Sequence, residues 1–202
     1  MTTLVRNPAK RGKFIVLYAP NNLGKSTQLK LLAQKMYGSA HATLVLKYPI
    51  YSLKPTGPKI NAALRFGKLT SELDLQKIYA KNRRDFQEQL IKLLNCGVNV
   101  IAEDYTGTGV AWAMTQNVSL ATMEKVNKGL IKPDLAILLD GERFKQAVEN
   151  GHRNEDAGQE KWEKCRQIHK ILAKRYGWKV INANNTIENI ETTIWKLVST
   201  LL

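Results

Sequence analysis

Cysteine is nearly absent from this chain: there are two, Cys96 and Cys165, far apart in 202 residues. That excludes a disulfide framework and a clustered zinc site, and it fits a reducing cytoplasm, the expected location. No apolar run approaches the ~20 residues of a membrane-spanning helix, and the start lacks the apolar core of a signal peptide, so no membrane role is expected. Internal repeats and low-complexity tracts are also missing. Acidic residues are scarce, with 17 Asp and Glu against 31 Lys and Arg, a net charge of +14. Such a balance suits a polyanionic partner, either nucleic acid or a site that handles several phosphates. The basic residues are scattered rather than in blocks, which reads most simply as a solvated basic surface. Length alone fits one domain with a core of its own.

What the chain does have is a strong signal at Phe14 to Gln28: an apolar run, a turn rich in Pro and Asn, then Gly24-Lys25-Ser26-Thr27 opening an amphipathic segment. The order is strand, loop, helix. A loop of this kind wraps backbone N–H groups round a polyphosphate at the positive end of the next helix. Lys25 would reach the β- and γ-phosphates, and the Ser26 hydroxyl would join the shell of a Mg²⁺ ion. Ala19 stands where the pattern G-x-x-x-x-G-K-[ST] begins with glycine, and alanine holds that turn if its φ is negative.

Along the chain, residues 1–12 read as a flexible basic arm and 13–202 as one domain. Leu29, Leu32, Ala33 and Met36 fall at helical spacing before Gly38. Thr43 to Tyr48 is β-rich and stops at Pro49, and Ser52 to Pro58 reads as a loop at that strand's carboxyl end. A long helical pattern spans Leu69 to Leu94. Val98 to Ala102 is a strand with Glu103, Asp104 and Tyr105 at its carboxyl end, where Glu103 is placed as a carboxylate supporting the metal shell. Leu135 to Leu139 is a buried-type strand; a polar, glycine-bounded flap is expected around 143–160; Lys161 to Tyr176, Trp178 to Asn182 and Ile187 to Leu202 read as helix, strand and helix. Alternation of this kind predicts an α/β three-layer fold, a mostly parallel central sheet flanked by helices. His41, His152 and His169 show no ligand spacing and read as surface or flap residues. Cys96, Trp112 and Trp162 read as packing residues.

Several segments together resemble the thymidylate kinase family of P-loop nucleoside monophosphate kinases. Gly24-Lys25-Ser26-Thr27-Gln28 is similar to its phosphate loop. Tyr79-Ala80-Lys81-Asn82-Arg83 resembles its aromatic-x-x-Asn-Arg segment, in which the ring stacks on the base and the arginine grips the monophosphate. Tyr105 to Trp112 resembles its Tyr-x-x-Ser-x-x-Ala-aromatic motif, with Thr108 at the serine place and a tyrosine lying near the sugar. Lys132-Pro133-Asp134-Leu135 resembles the entry to its fourth strand, and Asn182-Ala183-Asn184 falls where its adenine-contacting loop lies.

The resemblance implies an ATP-dependent kinase of a deoxynucleoside monophosphate, dTMP to dTDP, with Mg²⁺ as cofactor and a homodimer as the assembly. Ala19, Asn22, Leu23, Gly24, Lys25, Ser26, Thr27 and Asn184 would serve ATP. Asn21, Tyr48, Pro49, Tyr79, Arg83, Tyr105 and Thr108 would serve the acceptor. Lys25, Glu103 and Arg153 of the flap would carry catalysis, and Ser26 and Glu103 the metal. Departures are concentrated at the acceptor end. Asn21 replaces a carboxylate, Tyr48-Pro49-Ile50-Tyr51 lacks an expected arginine, and Glu103-Asp104-Tyr105 carries an acid where the family has a second one. Lys47, Lys54, Lys59 and Arg84 are the candidates to compensate. The alternatives are a kinase for another deoxynucleotide or a nucleoside, and a nucleotide- or nucleic-acid-binding module without turnover.

Overall fold

The computed structural model describes residues 10–66, 71–144 and 158–202. Its apolar runs form five strands, Phe14–Tyr18 (β1), Thr43–Lys47 (β2), Asn99–Glu103 (β3), Leu135–Asp140 (β4) and Lys179–Asn182 (β5). They make one sheet in the order β2-β3-β1-β4-β5 with every pairing parallel. All residues of β1 and β3 are buried, whereas the edge strands β2 and β5 are partly exposed.

Alternation along β1 sorts its side chains between two layers. Ile15 and Leu17 pack with Leu29, Leu32 and Met36 of the helix Lys25–Gly38 (α1) and with Ile190, Ile194 and Val198 of the last helix. Phe14, Val16 and Tyr18 pack on the other face with Leu90 and Leu94 of the long helix. That is the expected three-layer α/β architecture. Because β1 has β3 on one side and β4 on the other, the chain reverses its direction of winding beside it, and the carboxyl ends there open a crevice.

The remaining helices are Thr56–Phe66 (α2), Glu72–Asn95 (α3), Thr106–Thr115 (α4), Leu120–Val126 (α5), Gly158–Tyr176 (α6) and Ile187–Ser199 (α7). Ser71 caps α3 by accepting from Asp74 N at 3.1 Å, and Ser119 and Thr186 cap α5 and α7 in the same way. The proline-rich stretch expected to be all loop turns helical at Thr56. Pro58 lies in the first turn of α2, where its missing N–H breaks no intrahelical bond. Helices α4 and α5 have no counterpart in the sequence reading, since Thr106-Gly107-Thr108-Gly109 lacks helix-forming residues.

Two residues sit otherwise than expected. Cys96 is exposed at the end of α3, and His169 is fully buried in α6. Of the arm, residues 1–9 lie outside the described residues; Arg11 pairs with Asp134 at 3.1 Å, and Gly12 N donates to Leu94 O at 2.8 Å.

Candidate active site

The turn between β1 and α1 is shaped by residues that tolerate left-handed backbone. Asn22 has φ 65° and Gly24 φ 77°, while Ala19 is not among the positive-φ residues, which is the condition alanine needed there. Leu23 is buried beneath the loop, and the Trp162 indole of α6 donates to Asn21 O at 2.8 Å. Helix α1 starts with no side-chain cap and no acid in its first turn, so its first N–H groups and the positive end of its dipole are left for an anion. Ser26 and Thr27 are exposed there. Lys25 folds back over its own loop, donating to Ala19 O at 3.0 Å and to Pro20 O at 3.4 Å.

Two carboxylates face this loop from the end of β3, and the backbone aims them apart. Glu103 is in register with Lys47 of β2, and the two side chains pair at 3.1 Å. Burial works against the Lys47 charge, but Glu103 outweighs it and the ammonium pKa is raised. Asp104 has φ 63°, a left-handed turn that swings its carboxylate toward Lys25 at 3.9 Å, where Thr108 also donates to it at 2.6 Å. Burial raises the Asp104 pKa against the opposing attraction of Lys25. The sequence reading put Glu103 first as the metal carboxylate, and the nearer neighbour of Lys25 is Asp104.

The other end of the crevice is aromatic. Helix α3 contributes Tyr79 and, one turn on, Arg83, whose guanidinium lies 5.8 Å from the Tyr79 ring and 5.7 Å from that of Tyr105. Arg83 donates to Tyr105 O at 2.8 Å and to Asn127 Oδ1 at 3.3 Å, and burial lowers its pKa. Asn82 Oδ1 accepts from Ile50 N at 2.9 Å, while its amide donates to Ile50 O and Thr56 Oγ1, tying the Tyr48-Pro49 turn to α3.

Both ends share one cavity of about 400 Å³. Its lining includes Asn21, Asn22, Gly24, Lys25, Ser26 and Thr27 on the loop side, and Tyr48, Pro49, Tyr79, Arg83, Tyr105 and Thr108 opposite, with Glu103 and Asp104 between. Tyr48 Oη, Tyr105 Oη, Gln76 Oε1, Arg83 Nε and Trp112 Nε1 are buried with no hydrogen-bond partner among the described residues, and all five residues line this cavity. Buried polar atoms are nearly always paired, so a cluster of orphans round one cavity marks a place for a ligand.

Among the expected residues, Ala19 and Leu23 support the loop from behind, off the cavity wall. Asn184 also lies off it, accepting from Glu142 N at 2.7 Å. Arg153 lies outside the described residues. Of the candidate compensating cations, Lys47 lines the cavity and Lys54 and Lys59 do not; Arg84 bonds Val126 O at 2.5 Å and Lys128 O at 3.2 Å instead. Glu72, Gln76 and Trp112 line the wall without having been singled out as site residues. Gln76 was detectable in principle, being one helical turn before Tyr79 on the same face.

Comparison with known proteins agrees with this geometry. The thymidylate kinase family model matches residues 20–194. A thymidylate kinase of Dictyostelium discoideum is 29% identical over 197 residues, covering 92% of this chain and 84% of the relative. The Homo sapiens thymidylate kinase is 26% identical over 190 residues, covering 92% and 89%. Among solved structures, thymidylate kinase from Candida albicans superimposes with a TM-score of 0.79 at 25% identity, covering 94% of this chain and 92% of that one. Fold, phosphate loop and sequence agree that this chain is a phosphotransferase belonging to the thymidylate kinase family.

Proposed function

We propose that this enzyme transfers the γ-phosphoryl group of ATP to dTMP, giving ADP and dTDP. The observation that carries the reading is the shared cavity, in which an uncapped phosphate-binding helix end meets an aromatic, arginine-containing pocket. In-line transfer needs donor and acceptor phosphates in one such space, with little covalent work by the protein.

On this reading Ala19 to Thr27 holds the ATP phosphates, with Lys25 leaving its loop carbonyls for the β- and γ-oxygens. The thymine lies on Tyr79, the sugar lies against Tyr105, and Arg83 supplies buried positive charge at the acceptor end. Lys47, held beside Glu103, is an exposed cation on the same wall and stands in for an absent arginine. An oxygen of the dTMP phosphate attacks the γ-phosphorus, and the bond to the bridging oxygen breaks to leave ADP. The Ser26 hydroxyl and the Glu103 and Asp104 carboxylates form an all-oxygen donor set suited to Mg²⁺, which would neutralise charge on the β- and γ-phosphates. The proposal keeps for Arg153, which lies outside the described residues with most of the expected 143–160 flap, the catalytic role that the family resemblance implies. A homodimer and a cytoplasmic location belong to the same proposal. Product analysis by phosphorus NMR tests it: dTDP and ADP must appear together, one for one, only when ATP and dTMP are both present.

A further inference from the structure

Gln76 is only 1% exposed, and it lies on the cavity-facing side of α3 with Tyr79 and Arg83. Its Nε2 donates to Glu72 Oε1 at 2.8 Å. An ionised carboxylate only accepts, so Glu72 fixes which way the amide faces, nitrogen toward itself and oxygen away. That oxygen has no hydrogen-bond partner among the described residues and is buried. Gly109 of α4 makes the room for it: a Cβ there would come 2.6 Å from Gln76 Oε1 and 3.1 Å from Arg83 Nη2. An oriented, dry acceptor without a donor costs its full desolvation until a ligand supplies one.

We propose that Gln76 is the residue that selects the acceptor's base, with Oε1 accepting from the ring N–H of an imide such as thymine or uracil, and that Glu72 is its positioning residue. Cytosine presents a lone pair at the equivalent ring nitrogen, which would meet the Gln76 oxygen acceptor to acceptor. The site therefore rejects it by leaving two acceptors opposed, a stronger discrimination than a missing contact. The proposal deepens the dTMP reading and rests on it.

The test compares dTMP with dCMP in the wild type and in the variants Gln76→Met and Glu72→Gln, by dissociation constants from calorimetry and by kcat/KM. Gln76→Met keeps the shape and removes the acceptor; Glu72→Gln lets the neighbouring amide turn over. Both should lower the dTMP preference at least tenfold, by weakening dTMP binding and relieving the exclusion of dCMP. The KM for ATP and the melting temperature should stay near the wild-type values. An unchanged preference in folded variants would overturn the assignment. Wild-type protein that binds dTMP over dCMP and yet makes no ADP would refute the phosphotransfer reading alone, and the dissociation constants would still decide on Gln76.

Discussion

Asp104 illustrates how far one backbone angle can redirect a site. Its positive φ turns the carboxylate off the line of β3 and toward Lys25, while Glu103 stays with Lys47. No sequence pattern encodes that divergence, so the acidic pair was legible as a pair and its division of labour was not. Because burial raises the Asp104 pKa, ionising this group costs folding free energy, and the neutral Asp104→Asn should melt no lower than the wild type at pH 7. Asparagine also tolerates the left-handed turn. Turnover should nevertheless fall at least tenfold, since a charge beside Lys25 and the proposed metal donors is lost; a melting temperature several degrees lower would show the ion pair to be a net stabiliser. His169 was equally hidden, a single histidine in a helix rich in charged residues. Burial lowers its pKa from 6.5 to about 4, with Nδ1 against Cys165 O at 2.9 Å and Nε2 without a partner among the described residues. The unfolded chain binds this proton first as pH falls, so the stability held above pH 6.5 drains away down to about pH 4. The difference amounts to roughly 3 kcal/mol at most. Chemical denaturation at pH 7 and pH 4.5 should show that loss in the wild type, and a shallower one in His169→Gln.

Among the elements, those with regular apolar spacing were readable and those held by tertiary contact were not. Strand β1 and helix α1 follow directly from Phe14 to Met36, because an apolar run and a 3.6-residue period each dictate one conformation. Helix α4 is the counterexample. Its glycines disfavour a helix by about 1 kcal/mol each relative to alanine, yet Val110, Ala111, Trp112 and Ala113 are buried and hold it in place. Gly107 is there for space: a Cβ would lie 2.3 Å from the Trp178 ring and 3.0 Å from Tyr18, two rings stacked at 4.2 Å. Gly107→Ala sets a helix-propensity gain of about 1 kcal/mol against overpacking of about 1–3 kcal/mol. Net destabilisation is expected, seen as a lower urea midpoint with an unchanged slope; a raised midpoint would mean that the aromatic pair yields freely.

For the molecule as a whole, the order of strands and helices fixed the fold class, and the motifs of loop, α3 and β3 meet round one candidate cavity. What remained out of reach was the part Gln76 and Glu72 could play, because the orphaned Gln76 oxygen is set only when α4 packs Gly109 against α3; Lys47, by contrast, was already among the cations the sequence offered. The net charge of +14 fits an enzyme whose two substrates both carry phosphate, with Lys25, Lys47 and Arg83 converging on one cavity. The decisive measurement is ADP release from Mg·ATP with dTMP, dUMP, dCMP, dGMP and thymidine offered singly at saturation. The account predicts rapid release with dTMP and little with dCMP or thymidine. Release with dCMP or thymidine but not with dTMP, or no release at all from folded protein that binds ATP, would contradict it.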